Sequence, residues 1–200
     1  MKILVKEIKA YRFMELDEYN KEKAKINYLE KERLPEFFSE DLTEALKEQG
    51  LSHLKTCYSL SNCQSDGLCL HGHITHSEIF GNKFKGIALK NVHHKQVQSV
   101  NELLYRIDFE HHSQYYHANT ISIESYNDAP TDRQDDIINR IVANVKAWYY
   151  SFCREWEEYG YKYFYEISDE EMIYGCELND CWFTDDGNII DTDIYRNSIN

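Results

Sequence analysis

The stretch S-L-S-N-C-Q-S-D-G-L-C-L-H-G-H-I-T-H, Ser59 to His76, decides how this chain is read. Leu54, Thr56, Tyr58 and Leu60 alternate along the run leading into it. Leu68, Leu70 and Ile74 line one side of the run that ends it, and Asp66-Gly67 lies near the turn between the two. A period of two sends successive side chains to opposite faces, and Asp-Gly supplies turn geometry, so the stretch predicts an antiparallel hairpin. The face opposite the leucines then carries Cys69, His71 and His73 side by side, with Cys63 and His76 near its ends.

Working outward, Leu103, Tyr105, Ile107 and Phe109 alternate, His111 to Gln114 form a polar turn, and Tyr115 to Glu124 reads as a returning strand, which makes a second hairpin. Glu78 to Val100 carries turn glycines around a segment of either type. Lys2 to Phe13 reads as a strand. Asp17 caps a helix running to about Arg33, and Pro35 opens a second helix with Phe38, Leu42, Ala45 and Leu46 on one face and Gly50 as its stop. Thr131 begins a long helix with Ile138, Ile141, Val145, Trp148, Phe152 and Trp156 on one face, ended by Gly160. Tyr161 to Ile167 reads as a strand, Ser168 and Glu171 as a capping box for a short acidic helix, and Asp186-Gly187 as the turn of a closing hairpin. The sum is α+β, a mainly antiparallel sheet with a long amphipathic helix and shorter helices packed on it.

Length and composition fit a single domain over residues 1–200, with the acidic part 151–200 as a sub-lobe. No run approaches the roughly 20 apolar residues of a membrane span, and six cysteines without small disulfide-dense modules suit a reducing cytosol, so a cytoplasmic location with no membrane partner is expected. Of the net charge of −13, most lies in residues 151–200, which hold 13 acids and 3 bases, whereas all nine histidines lie between His53 and His117. Such a chain repels a phosphate backbone and attracts a basic protein.

The blocks F-M-E-L-D-E-Y-N-K-E-K-A-K (Phe13 to Lys25), S-L-S-N-C-Q-S-D-G (Ser59 to Gly67), Y-Y-H-A-N-T-I-S-I-E (Tyr115 to Glu124) and Y-F-Y-E-I-S-D-E-E-M-I (Tyr163 to Ile173) resemble a family of small, largely uncharacterised phage and prophage proteins, some labelled antitoxin-like. The family's second block reads S-x-Q-G-D-G, and here Ser65 replaces its first glycine. His71, His73 and His76 stand outside its pattern. The resemblance implies a phage–host setting, in the host bacterial cytoplasm, rather than a reaction.

Three constellations carry candidate chemistry. His71 and His73 on one strand, with His117 from the other hairpin, have the residue types of a zinc site and would make a small metal-dependent hydrolase, but no paired C-x-x-C or H-E-x-x-H spacing accompanies them. Gln64, Asp66, Tyr116, His117 and Glu124 are the polar residues of the family blocks. A carboxylate beside an imidazole is the minimum for acid–base work, while the plain alternative is that they support turns.

The third constellation is the acidic, aromatic C-terminal region. Glu155, Glu158, Tyr161, Tyr163, Glu170, Glu171, Asp180, Asp185, Asp186 and Asp191 are the expected partner-binding residues there. This favours a non-enzymatic acidic binding protein for a basic or nucleic-acid-binding partner. One concrete form is an anti-CRISPR-like inhibitor of a host defence system that mimics DNA, with no catalytic residues and no cofactor. A structural or assembly role, as a homodimer through the long helix, is the remaining alternative.

Overall fold

The computed structural model of the protein describes residues 8–81 and 83–190. It is α+β, with a four-stranded antiparallel sheet, a long helix and shorter helices. The described residues divide into two compact units, one spanning 36–160 and the other built from segments that end at Pro35 and resume at Tyr161.

In the larger unit α2 (Pro35–Glu48) buries Phe38, Leu42 and Leu46, and Gly50 ends the turn that follows with φ 82°. Strands β1 (Leu54–Ser59), β2 (Gly67–Thr75), β3 (Leu104–His111) and β4 (Ile121–Asn127) pair in chain order, so the sheet is a simple meander. The predicted hairpin at Ser59 to His76 is present, with Ser59 opposite Gly67 and Leu54 opposite Gly72. Between β2 and β3 the chain makes three short helices, α3 (His76–Phe80), α4 (Lys85–Ala88) and α5 (His94–Val100).

Helix α6 (Asp132–Tyr165) runs 34 residues, about 50 Å at 1.5 Å per residue. Its Ile138, Ile141, Val145 and Tyr149 are fully buried, as are Leu68, Leu70, Ile74 and Ile107 of the sheet, and the Tyr149 ring meets Phe109 at 5.5 Å between centroids.

The second unit is centred on Phe13, Leu16, Ala24, Tyr28, Met172, Cys176, Cys181 and Phe183. Its α1 (Glu18–Glu32) starts where Asp17 accepts the Asn20 N–H at 2.8 Å. Its α7 (Asp169–Leu178) starts at the predicted capping box, in which Ser168 and Glu171 exchange hydrogen bonds. Gly187 turns the closing segment with φ 80°, and Phe183 bridges both Tyr11 and Ile189.

Four expectations are corrected. Gly160 does not end α6, because a glycine with ordinary helical geometry costs only about 1 kcal/mol within a helix. The helix therefore continues over the segment read as a strand from Tyr161, bringing the Tyr161 and Tyr165 rings to 6.3 Å, as expected for residues four apart on a helix. Tyr115 to Thr120 is loop and 3-10 turn, and strand pairing begins only at Ile121. A register shift between Leu104 and Arg106 changes the phase of β3, so Leu104 is buried whereas Tyr105 is 49% exposed. Of the strand read over Lys2 to Phe13, Lys2 to Glu7 lie outside the described residues; beyond them Tyr11 makes one bridge and Phe13 enters a 3-10 turn.

Candidate functional site

The hairpin turn is built around Asp66. Its carboxylate is buried and accepts the Cys63 N–H at 2.9 Å, the Ser59 hydroxyl at 3.1 Å and the Cys63 thiol at 3.1 Å. Asn62 helps to close the loop with φ 58°. Gly67 permits a close approach, since a Cβ there would lie 2.7 Å from His117 Nδ1 and 2.9 Å from the Tyr116 carbonyl oxygen. Glu157 of α6 completes the group. Burial pushes its carboxyl up, His117 opposes that, and the neighbouring Asp66 and Glu158 add to it. Asp66 from the turn and His117 from the loop thus both act on Glu157 of the helix. Gln64, Tyr116 and Glu124 are exposed; Glu124 lies on β4 opposite Asp108, away from this turn.

His71 and His73 do share the sheet face opposite the core. His73 stacks on His53 at 4.9 Å between ring centroids and faces Asp108 across the β2–β3 ladder. His71 faces Lys55, and burial, reinforced by Lys55 and His111, holds its imidazole below its ordinary value. Cys69, expected beside them on an open face, is fully buried, and burial pushes its thiol up to about 12. Among the described residues no three His, Cys, Asp or Glu side chains are arranged to hold a metal ion. His71, His73 and His117 each have their own surroundings.

Sequence reasoning missed the carboxylate of Glu78. It is 7% exposed and accepts from Ser52, Thr75 and His53. Its signal was Thr75 three residues ahead of Glu78, a capping box at the start of α3.

The expected partner-binding residues divide sharply. Asp180 pairs with Arg12 at 3.1 Å and Asp186 with Lys23 at 3.1 Å, so these two acids are partly neutralised by the N-terminal segment of their own unit. Glu171 caps α7. Tyr163 is buried, with Arg33 over its ring at 4.9 Å and its hydroxyl 3.5 Å from the Leu34 carbonyl oxygen. Tyr161 is half-buried, while Glu155, Glu158 and Asp185 are exposed and Glu155 takes the Ser151 hydroxyl at 2.7 Å. Asp191 lies outside the described residues.

One face of α7 is an exposed surface that joins apolar and acidic side chains. Met172 and Cys176 turn inward, and Gly175 lets the Tyr28 hydroxyl lie directly against the helix. Glu170, Tyr174, Glu177 and Leu178 therefore share the outward face, with Tyr174 69% and Leu178 72% exposed. A large ring and an aliphatic chain set between carboxylates can anchor a partner by apolar contact while selecting positive charge around it.

No helix of the described residues is long and apolar enough to cross a membrane. A family model described as Domain of unknown function (DUF8835) matches residues 35–169. No curated protein and no solved structure matches the chain.

Proposed function

The chain belongs to the family described as Domain of unknown function (DUF8835), and we propose that this protein is a non-enzymatic acidic binder of a basic, nucleic-acid-binding protein. The outward face of α7 carries the reading: Tyr174 and Leu178 are more exposed than apolar anchors need be unless something covers them, and Glu170 and Glu177 flank them. The net charge of −13 supports the sign of the partner, because long-range attraction speeds the encounter of oppositely charged proteins. Inhibition of a host nucleic-acid-binding defence system is the concrete form we propose. It is supported by the resemblance to phage and prophage proteins and by carboxylates that can stand where phosphates would.

The test is capture of the partner on the tagged, full-length protein from nuclease-treated bacterial lysate, repeated with two double variants of α7. Glu170→Lys with Glu177→Lys, and Tyr174→Ala with Leu178→Ala, are each expected to lose the captured basic protein. Charge reversal at Glu40 and Glu44 of α2 is expected to retain it. Capture that survives both α7 variants, or recovery of no basic protein, removes this reading.

A further inference from the structure

Helix α7 closes through a Schellman motif. The Cys181 N–H donates to the Cys176 carbonyl oxygen at 2.9 Å, the Asp180 N–H points at Glu177 O at 3.5 Å, and Asp180 takes φ 47°. This closure brings the side chain two places beyond the helix end against the one in the last turn, a contact that is ordinarily apolar. Here both residues are cysteines, at 4% and 5% exposure, and both side chains lie in the same buried cluster. The neighbouring Cys176 thiol holds the Cys181 thiol below its ordinary value against the effect of burial, and Lys31 adds to the lowering.

The surroundings favour access and order. A pocket of about 230 Å³ is lined by Cys176 together with Arg12, Phe13, Met14, Ile173 and Glu177, so a small reagent has a path to the Cys176 side of the pair. Arg12 fixes the Cys181 side of the closure by donating to the Cys181 carbonyl oxygen at 3.2 Å while lying 3.6 Å over the Trp182 ring. Two cysteines whose main chains are already joined by a hydrogen bond, and whose side chains enter one cluster, need little backbone movement to form a disulfide, whereas cysteines whose side chains diverge cannot be bridged.

We propose that Cys176 and Cys181 are a reversible disulfide-forming pair, a modification site closed by low-molecular-weight disulfides such as glutathione disulfide. One thiolate attacks a sulfur of glutathione disulfide, breaking its S–S bond, releasing one glutathione and forming a mixed disulfide. The neighbouring thiolate attacks the protein sulfur of that mixed disulfide and releases the second glutathione. Two electrons pass from the cysteine pair to the reagent, and the two thiol protons end on the two glutathione thiols. Closure ties the end of α7 to the segment that bridges Tyr11. The proposal does not depend on what α7 binds.

The experiment is a glutathione redox titration of the full-length protein, quenched in acid, alkylated, and read by intact mass and peptide mapping. The expected result is the loss of the alkylatable thiols of Cys176 and Cys181 with no glutathione retained on either, a cross-link mapped to that pair, and reversal by a dithiol reductant. Cys176→Ser and Cys181→Ser are each expected to trap a single glutathione on the remaining partner. Exposed Cys63 serves as the internal control, since a glutathione adduct there shows that the reagent is active. Full alkylation of Cys176 and Cys181 beside a modified Cys63 overturns the proposal, as does a cross-link that maps to Cys57 and Cys69, which face each other across β1 and β2. The wild-type map decides the matter even where a serine variant fails to fold.

Discussion

Glu78 reaches back to Ser52: one carboxylate oxygen accepts the Ser52 N–H at 2.8 Å and its hydroxyl at 3.0 Å, while the other takes the Thr75 N–H at 2.7 Å and hydroxyl at 2.9 Å. One buried anion therefore joins the entrance of β1 to the start of α3. Glu78→Gln puts an amide donor where a second acceptor is needed. The expected loss is about 2–3 kcal/mol in urea denaturation at neutral pH.

The pH dependence of that loss has a defined sign. Burial alone would raise the Glu78 carboxyl, but hydrogen bonds from Thr75, Ser52 and His53 outweigh it and hold the group below its ordinary value of 4.5. A depressed acid contributes stability that is present above 4.5 and lost as the pH falls through the folded-state value. The gap between wild type and Glu78→Gln should accordingly narrow on acidification, and a gap constant from neutral pH to strong acid would contradict the assignment.

Glu157 has the opposite sign. Its carboxyl is raised, chiefly by burial, so the folded protein binds a proton more readily than the unfolded chain, and stability falls as the pH climbs through that range. Glu157→Gln is expected to raise the melting temperature at neutral pH and to have no effect well below 4.5. Thermal scans across that range check it.

Gly72 adopts φ 123° in the middle of β2, and a Cβ there would run into the His53 carbonyl oxygen. Gly72→Ala combines backbone strain with a contact against main chain that cannot swing away. The expected cost is about 3 kcal/mol or more. His73 donates to the same carbonyl at 3.4 Å, so amide exchange at His73 should accelerate in the variant.

Two helical glycines give a paired test. At Gly160 of α6 a Cβ would meet the Leu60 side chain and lie 2.9 Å from Phe38 Cζ, whereas at Gly86 of α4 nothing lies within 4 Å. Alanine gains about 1 kcal/mol of helix propensity at either place, and overpacking costs about 1–3 kcal/mol at the first alone. Gly160→Ala should be neutral to destabilising and Gly86→Ala stabilising; equal shifts of the denaturation midpoint would refute the comparison.

The parts of the fold legible in the sequence were those fixed by short-range chemistry. Asp17, Pro35 and Ser168 mark helix starts through side-chain and ring geometry that acts within one turn, and Asp66-Gly67 marks a hairpin in the same way. Gly160 misled because a glycine within a helix and a glycine ending one look alike in sequence. Only Leu60 and Phe38, a hundred or so residues earlier, reveal that this glycine makes room for packing. The phase of β3 was hidden by the irregularity after Leu104, which no residue type announces. At the site, the action of Asp66 and His117 on Glu157 links a turn and a loop to a helix distant from the turn in sequence, and the pairing of Asp180 and Asp186 with Arg12 and Lys23 joins opposite ends of the chain. Charge counting sees the acids but not their partners.

One unit holds the segments that end at Pro35 and resume at Tyr161, with the other unit lying between them in the chain. During synthesis the order of completion is therefore inverted. The meander and most of α6 have all their residues once Gly160 has left the ribosome, whereas α1, made first, must wait for α7 before Ala24 and Tyr28 can be covered. For that interval α1 is a nascent helix without its partner, exposed to chaperones and proteases. A stop codon after Gly160 would make that state permanent while leaving the sheet its complete set of strands.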